Sequence, residues 1–194
     1  MAAVCVYCSS SDAIDKKYIE LAAELGAALV ADGHSLVTGG GAVSMMGAIA
    51  RSVRSHGGHT LGVIPQALLE FEVGDREADE LVVTPDMRTR KAAMDNASDA
   101  FIALPGGIGT LEELLEVWTA ASLAMHAKPV IVLDPFGDFA PLREMVDSLK
   151  HRGFVRPTAL NVIEWTTTVE EAIRAIHRPA PEVFPLEHNE VRDV

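Results

Sequence analysis

The chain has little cysteine, few aromatics and a shortage of basic residues: two Cys, 5% Phe, Trp and Tyr together, and 16 Lys and Arg against 28 Asp and Glu in 194 residues. Two thiols cannot build a disulfide framework, and no second pair stands ready to complete a four-ligand zinc site. Cys5 and Cys8 do form a C-x-x-C pair, but they lie in the apolar run Val4-Cys5-Val6-Tyr7-Cys8. In a strand, side chains three apart point to opposite faces, so both are expected to be buried small residues. The net charge of −12 excludes general nucleic-acid and anionic-membrane binding, which call for a basic field. A small anionic ligand stays open wherever basic residues gather locally. No run of about 18 apolar residues and no charged-then-apolar leader is present, so the cytoplasm is the expected location. Lys-Ser or Lys-Thr follows neither glycine cluster, which excludes a Walker-type NTPase. His34, His56, His59 and His126 lack metal-ligand spacing, and no G-x-S-x-G or Cys-His arrangement argues for covalent hydrolysis. Neither a metal nor a cofactor is expected.

What remains is an ordinary globular composition, 48% hydrophobic and 23% charged, long enough for one self-sufficient core. Short β-branched runs alternate with longer helical patterns, the sign of βαβ units and an α/β fold with a parallel sheet covered on both faces. Strands are read at Val4–Cys8, Ser35–Thr38, Thr60–Ile64, Glu80–Thr84, Ala100–Leu104, Pro129–Leu133 and Asn161–Glu164. Helices are read at Lys16–Ala31, with Gly33 as its stop, and at Ser44–Ser55, Met87–Asn96, Leu111–His126, Phe139–Lys150 and Val169–His177. Residues 65–79 read as a loop or short helix. One domain over 1–177 is therefore expected, followed by a tail at 178–194 whose three prolines and many charges predict loose order. In such sheets ligands sit beyond the carboxyl ends of the strands. The candidate residues follow those ends.

After the fifth strand comes Pro105-Gly106-Gly107-Ile108-Gly109-Thr110, then an apolar helix pattern at Leu111, Leu114, Leu115 and Trp118. Glycines expose backbone N–H groups and a helix start adds partial positive charge, which together suit a phosphate. Thr110 and Glu113 also match the T-x-x-E capping box, in which each would satisfy a backbone donor of the other. On the residues alone, Glu113 is as well explained by the cap as by catalysis. The cluster Thr38-Gly39-Gly40-Gly41 follows the second strand and continues to Ser44-Met45-Met46-Gly47. It fails the dinucleotide fingerprint at Ser44, and no acidic residue closes the next strand, so a mononucleotide is preferred, its ribose or phosphate approaching Gly40 and Gly41. Asp86-Met87-Arg88-Thr89-Arg90-Lys91 places three cations in the first turns of a helix capped by Asp86, where they oppose the helix dipole. Such placement points to use, with Arg90 and Lys91 available for oxyanions. Ser10, in Ser9-Ser10-Ser11 after the first strand, offers a hydroxyl to a nucleotide.

Taken together, Pro105-Gly106-Gly107-Ile108-Gly109-Thr110-Leu111-Glu112-Glu113, Met87-Arg88-Thr89-Arg90-Lys91 and Thr38-Gly39-Gly40-Gly41 with Met46-Gly47 resemble the LOG family of cytokinin riboside 5′-monophosphate phosphoribohydrolases, long labelled lysine decarboxylases. The resemblance runs from about Val4 to Ile176. It implies a Rossmann-like doubly wound sheet in three αβα layers, a homodimer, and hydrolysis of N6-modified adenosine 5′-monophosphates to free base and ribose 5-phosphate. By the same resemblance Arg90 and Glu113 match the catalytic pair. Glu72, Lys91, Gly106, Gly107, Ile108, Gly109, Thr110, Leu111, Glu112 and Thr119 match nucleotide contacts. Two loops depart from the family pattern: Ser44 and Met45 stand where Gly-Leu is usual, and Ser9 stands where glycine is usual.

A contrasting expectation is a non-catalytic carrier of AMP-like ligands on the same loops. A pyridoxal-dependent decarboxylase would need a Schiff-base lysine in a cofactor site, and the few lysines offer no such setting. The apolar residues of Leu111–Met125 cover more than one helix face, which predicts burial on all sides or a shared surface with a second chain.

Overall fold

Seven of the β-branched runs pair into one all-parallel sheet in a computed structural model that describes residues 1–69 and 74–178. The strands are β1 (Ala3–Tyr7), β2 (Ser35–Thr38), β3 (Thr60–Pro65), β4 (Glu80–Thr84), β5 (Ala100–Ala103), β6 (Val130–Leu133) and β7 (Ile163–Thr166). Their spatial order is β4-β3-β2-β1-β5-β6-β7. The chain thus winds outward from β1 to one edge, returns to lay β5 beside β1, and winds to the other edge. The reversal opens a crevice above β1 and β5, where α/β sheets bind their ligands.

Alternation along the strands divides the core in two. Val4, Val6 and Cys8 face one layer with Leu25, Ile49 and Ala172. Cys5 and Tyr7 face the other with Met94, Leu114 and Phe139. Helices α1 (Lys16–Ala31), α2 (Ser44–Ser55) and α8 (Val169–Ile176) cover the first face; α4 (Met87–Asn96), α5 (Ile108–Ser122) and α6 (Ala140–His151) cover the second. The fold is the expected three-layer α/β arrangement. Both thiols are free and buried, and burial pushes Cys5 up to about 12, so neither is a reactive thiolate. No described helix is long and apolar enough to cross a membrane.

Local signals explain most boundaries. Asp15 caps α1 by accepting from the Lys17 amide at 2.9 Å, and Gly33 takes φ +80° just past its end. Asp86 caps α4 through the Thr89 amide at 2.8 Å. The stretch read as a loop or short helix contains α3 (Gln66–Leu69). Three expectations are corrected. The last strand lies two residues later than Asn161–Glu164, because Pro157 starts a one-turn helix, α7 (Pro157–Leu160), that takes Asn161 as its C-cap. Helix α5 ends at Ser122 rather than His126, where Ala124 turns to φ +57° and the Met125 amide donates back to Ala120 O. It also begins at Ile108, with Gly107 as N-cap, so Thr110 already lies in its first turn. The Thr110–Glu113 capping box does not form; a box of that kind closes α8 instead, between Thr168 and Glu171. Of the segment read as a tail only Arg178 is described, ion-paired to Glu164; the rest lies outside the described residues.

Candidate active site

With the cap reading gone, the Glu113 side chain is released for other use. Glu113 sits two turns into α5 on the side facing α4, its side chain only 12% exposed. Arg90 comes from the first turns of α4, equally buried, and its Nη1 donates to Glu113 Oε1 at 3.3 Å. The rest of the guanidinium is fixed by backbone carbonyls of β3 and of the residue that follows β2. Arg90 Nε donates to Val63 O at 3.0 Å and Nη2 to Gly39 O at 3.2 Å. Thus a cation that opposes its own helix dipole is held by β2, β3 and α5 together. Its contact with Glu113 is single and long, whereas a strong Arg–carboxylate pair is forked and shorter. Desolvation therefore outweighs attraction: burial pushes the Glu113 carboxyl up to about 7, against the opposing pull of Arg90. A carboxyl that changes charge near neutrality in a cleft is suited to chemistry.

This pair forms one wall of a cavity of about 330 Å³ at the crevice over β1 and β5. Gly107, Ile108, Gly109 and Thr110 form a second side, and Cys8, Ser9, Ser10 and Ser11 a third. The volume is at the lower end for small-molecule sites. The glycines of the loop do different jobs. A Cβ on Gly106 would fall 2.2 Å from Thr110 Oγ1, so Gly106 is required by packing, whereas Gly107 and Gly109 have open space where a side chain would stand. That open approach lies beside the amides of a helix start, a geometry suited to an anion.

Other predicted residues lie elsewhere. Gly40 and Gly41 do not line the cavity: Gly40, at φ +75°, lies against Ile64 and Val63, and Gly41 bridges Gly74. Leu111 turns its side chain toward the core. Glu112 reaches the cavity rim, yet it also pairs with Lys91, whose ammonium contacts Glu116 as well, at 2.6 Å. Thr119 is exposed further along α5. Glu72 lies outside the described residues. Sequence reasoning missed Met46, Leu68 and Met87, which supply the apolar part of the lining; single methionines and leucines carry no signal of that role. It also missed Gly39. A Cβ there would stand 1.8 Å from Arg90 Nη2, so the first glycine of the cluster exists to admit the guanidinium.

One group of metal-ligand type occurs among the described residues, away from this site: Asp32, His34 and His177. His34 Nε2 lies 2.9 Å and His177 Nε2 2.5 Å from the same oxygen, Asp32 Oδ2. The Ala2 amide donates to His34 Nδ1 at 3.1 Å, so the ring proton of neutral His34 belongs on Nε2 and points at Asp32. A ligating histidine has the opposite arrangement, donating through its second nitrogen. The cluster is a hydrogen-bonded clamp between the ends of α1 and α8.

Known proteins match the chain over most of its length. A protein-family model described as possible lysine decarboxylase matches residues 46–176. The cytokinin riboside 5′-monophosphate phosphoribohydrolase of Mycobacterium tuberculosis (strain ATCC 25618 / H37Rv) is 48% identical over 172 residues, covering 89% of this chain and 91% of that protein. The chain belongs to the LOG family. An Arabidopsis thaliana phosphoribohydrolase of the same description is 41% identical, over 92% of this chain and 83% of its own length. The molybdenum cofactor carrier protein of Chlamydomonas reinhardtii shares the fold, with a TM-score of 0.70 over 90% of this chain and 94% of that one at 22% identity. At that identity the likeness concerns the fold alone. The two serines that stand where glycine is usual in the LOG pattern both bond to Ser11. Ser9 Oγ accepts the Ser11 amide at 3.1 Å, and Ser44 Oγ donates to Ser11 O at 2.6 Å.

Proposed function

We propose that this chain hydrolyses the N-glycosidic bond of N6-modified adenosine 5′-monophosphates, releasing the free base and ribose 5-phosphate. The observation that carries the reading is a buried carboxyl, Glu113, held beside Arg90 in a cavity whose adjacent side is an open glycine helix start. The phosphate takes the amides of Gly107–Thr110, which registers the ribose over Glu113 and turns binding energy into orientation. As the C1′–N9 bond breaks, its electron pair leaves with the base and the sugar becomes oxocarbenium-like. Ionised Glu113 stabilises that charge and directs water to C1′, as carboxylates do in glycosidases. Water supplies the new C1′ hydroxyl, and its proton balances the departing base. Arg90 orients Glu113 and offers positive charge to phosphate or base. Met46, Leu68 and Met87 provide an apolar surface for the base and its substituent.

We also propose a homodimer. Exposed Ile108, Leu115 and Leu123 follow one another on α5 at helical spacing with Glu112 and Thr119. The family-matched residues Lys91 and Thr119 do not line the cavity of their own chain, which suits a site completed across that face. A nucleotide monophosphate substrate supports a cytoplasmic location. Chromatography of products from isopentenyl-AMP, AMP and isopentenyladenosine tests the activity. Release of base from the modified monophosphate and little from the riboside is expected; equal turnover of the riboside sinks the phosphate-registration argument, and tight AMP binding with no base release means a carrier.

A further inference from the structure

The segment that joins β1 to α1 is held from outside by a residue in an unfavourable backbone conformation. Ser44, the first residue of α2, has φ +49°, the left-handed region that a Cβ disfavours. It is buried, and both of its polar donors are directed at that segment. Its amide donates to Asp12 Oδ1 at 3.1 Å, and its hydroxyl to the Ser11 carbonyl at 2.6 Å. From within the segment, Ser9 Oγ accepts the Ser11 amide at 3.1 Å. Ser11 is therefore gripped at both its N–H and its carbonyl.

What is gripped is a wall. Ser9, Ser10 and Ser11 line the cavity that holds Arg90 and Glu113. Ser9, Ser11 and Gly107 also line a second cavity of about 400 Å³, whose lining includes Tyr18 and Asp138, hydrogen-bonded at 2.9 Å. The serine segment thus lines both cavities. Ser44 lines neither. A glycine would take the same φ without strain but has no hydroxyl, and strain of this sort persists where surrounding contacts over-determine it.

We propose that Ser44 is a positioning residue which, through Ser11 and with Ser9 as counterpart, fixes the hydroxyl wall of the nucleotide cavity. The proposal rests on reading that cavity as a nucleotide monophosphate site. A wall that meets the ligand equally in ground and transition states acts on KM rather than kcat.

The test uses the full chain with Ser44→Gly, Ser44→Ala, Ser9→Gly and the double Ser9→Gly/Ser44→Gly. AMP affinity is measured by calorimetry, turnover of isopentenyl-AMP by chromatography, amide exchange of residues 9–13 by mass spectrometry, and melting by circular dichroism. Ser44→Gly is expected to melt no lower than wild type, since strain is relieved, while its AMP affinity falls about tenfold, the effect of one lost hydrogen bond. KM should rise in proportion with kcat within about twofold, and exchange in the segment should quicken. Ser9→Gly should add little on the Ser44→Gly background, because both act through Ser11. Wild-type-like AMP affinity in both Ser44 variants, unchanged exchange, or losses that multiply in the double variant would each overturn the proposal. A chain that binds AMP but releases no base would overturn the hydrolysis while leaving this clamp to stand or fall on affinity and exchange; a chain that binds no AMP would overturn both.

Discussion

Glu113 shows how one residue's surroundings decide its role. Its pKa is raised to about 7 mainly by burial, so two pH effects follow with opposite signs. A carboxylate that must be ionised to stabilise the sugar makes kcat/KM rise with pH through an apparent pKa near 7; a limb that falls there instead would mean the protonated acid is the active form. Removing Arg90 takes away the charge that holds the value down, so Arg90→Ala should move the limb alkaline, besides lowering turnover on the order of 10²-fold. The substrate phosphate titrates near pH 6 in both proteins and so cancels in the comparison. For stability, a raised folded-state pKa means a contribution fully present below the unfolded value, near 4.5, and lost as pH climbs through about 7. Glu113→Gln mimics the protonated form. It should abolish base release, bind AMP nearly as well, and melt above wild type at pH 8, by an amount worth roughly 3 kcal/mol at most, with the gap closing toward pH 5. A Gln variant that hydrolyses normally removes Glu113 from the mechanism. None of this was legible in T-x-x-E alone, which describes a cap and a catalyst equally. The choice between them depended on where α5 starts, and three residues of register, Ile108 instead of Leu111, decided it.

At the level of elements, periodicity located nearly every strand and helix, because burial on both faces of a parallel sheet and on one face of each helix leaves a strong pattern. It failed where local chemistry overrode the pattern, as at Pro157, which starts a one-turn helix in place of the predicted strand onset. The glycine cluster after β2 was visible, but its purpose was not: a run of glycines reads the same whether it admits a ligand or a side chain. The structure assigns its first member, Gly39, to Arg90, and that yields a prediction. In Gly39→Ala the new Cβ would lie 1.8 Å from Arg90 Nη2, so the guanidinium must give way, losing its bonds to Gly39 O and Val63 O. Loss of two charge-assisted hydrogen bonds costs on the order of 1–3 kcal/mol in stability. Activity should fall as far as in Arg90→Ala while the protein remains folded by circular dichroism. Full activity in Gly39→Ala would show that Arg90 need not sit where it does.

For the whole molecule, the question is what covers the outer face of α5. Leu115 is 40% and Leu123 43% exposed, and Ile108 at the cavity rim is 87% exposed, so α5 is not buried on all sides. Single exposed leucines need no explanation, but a row of them on one helix, next to residues the family resemblance assigns to the nucleotide, does. In a two-fold dimer the same stripe meets its own copy, so one substitution acts twice. A stable interface of this kind needs about 800 Å² from each partner, and a charge at its centre is costly. Leu115→Glu, on the stripe but off the cavity lining, should therefore convert a dimer into a monomer by light scattering. If Lys91 and Thr119 serve the partner's site, the monomer should lose most of its hydrolysis while keeping its melting transition, and wild-type activity per protomer should fall on dilution through the dissociation range. A Leu115→Glu protein that stays dimeric would move the interface elsewhere. One that becomes monomeric at full activity would show that each chain carries a complete site, with Lys91 tied to Glu112 and Glu116 purely as a brace between α4 and α5.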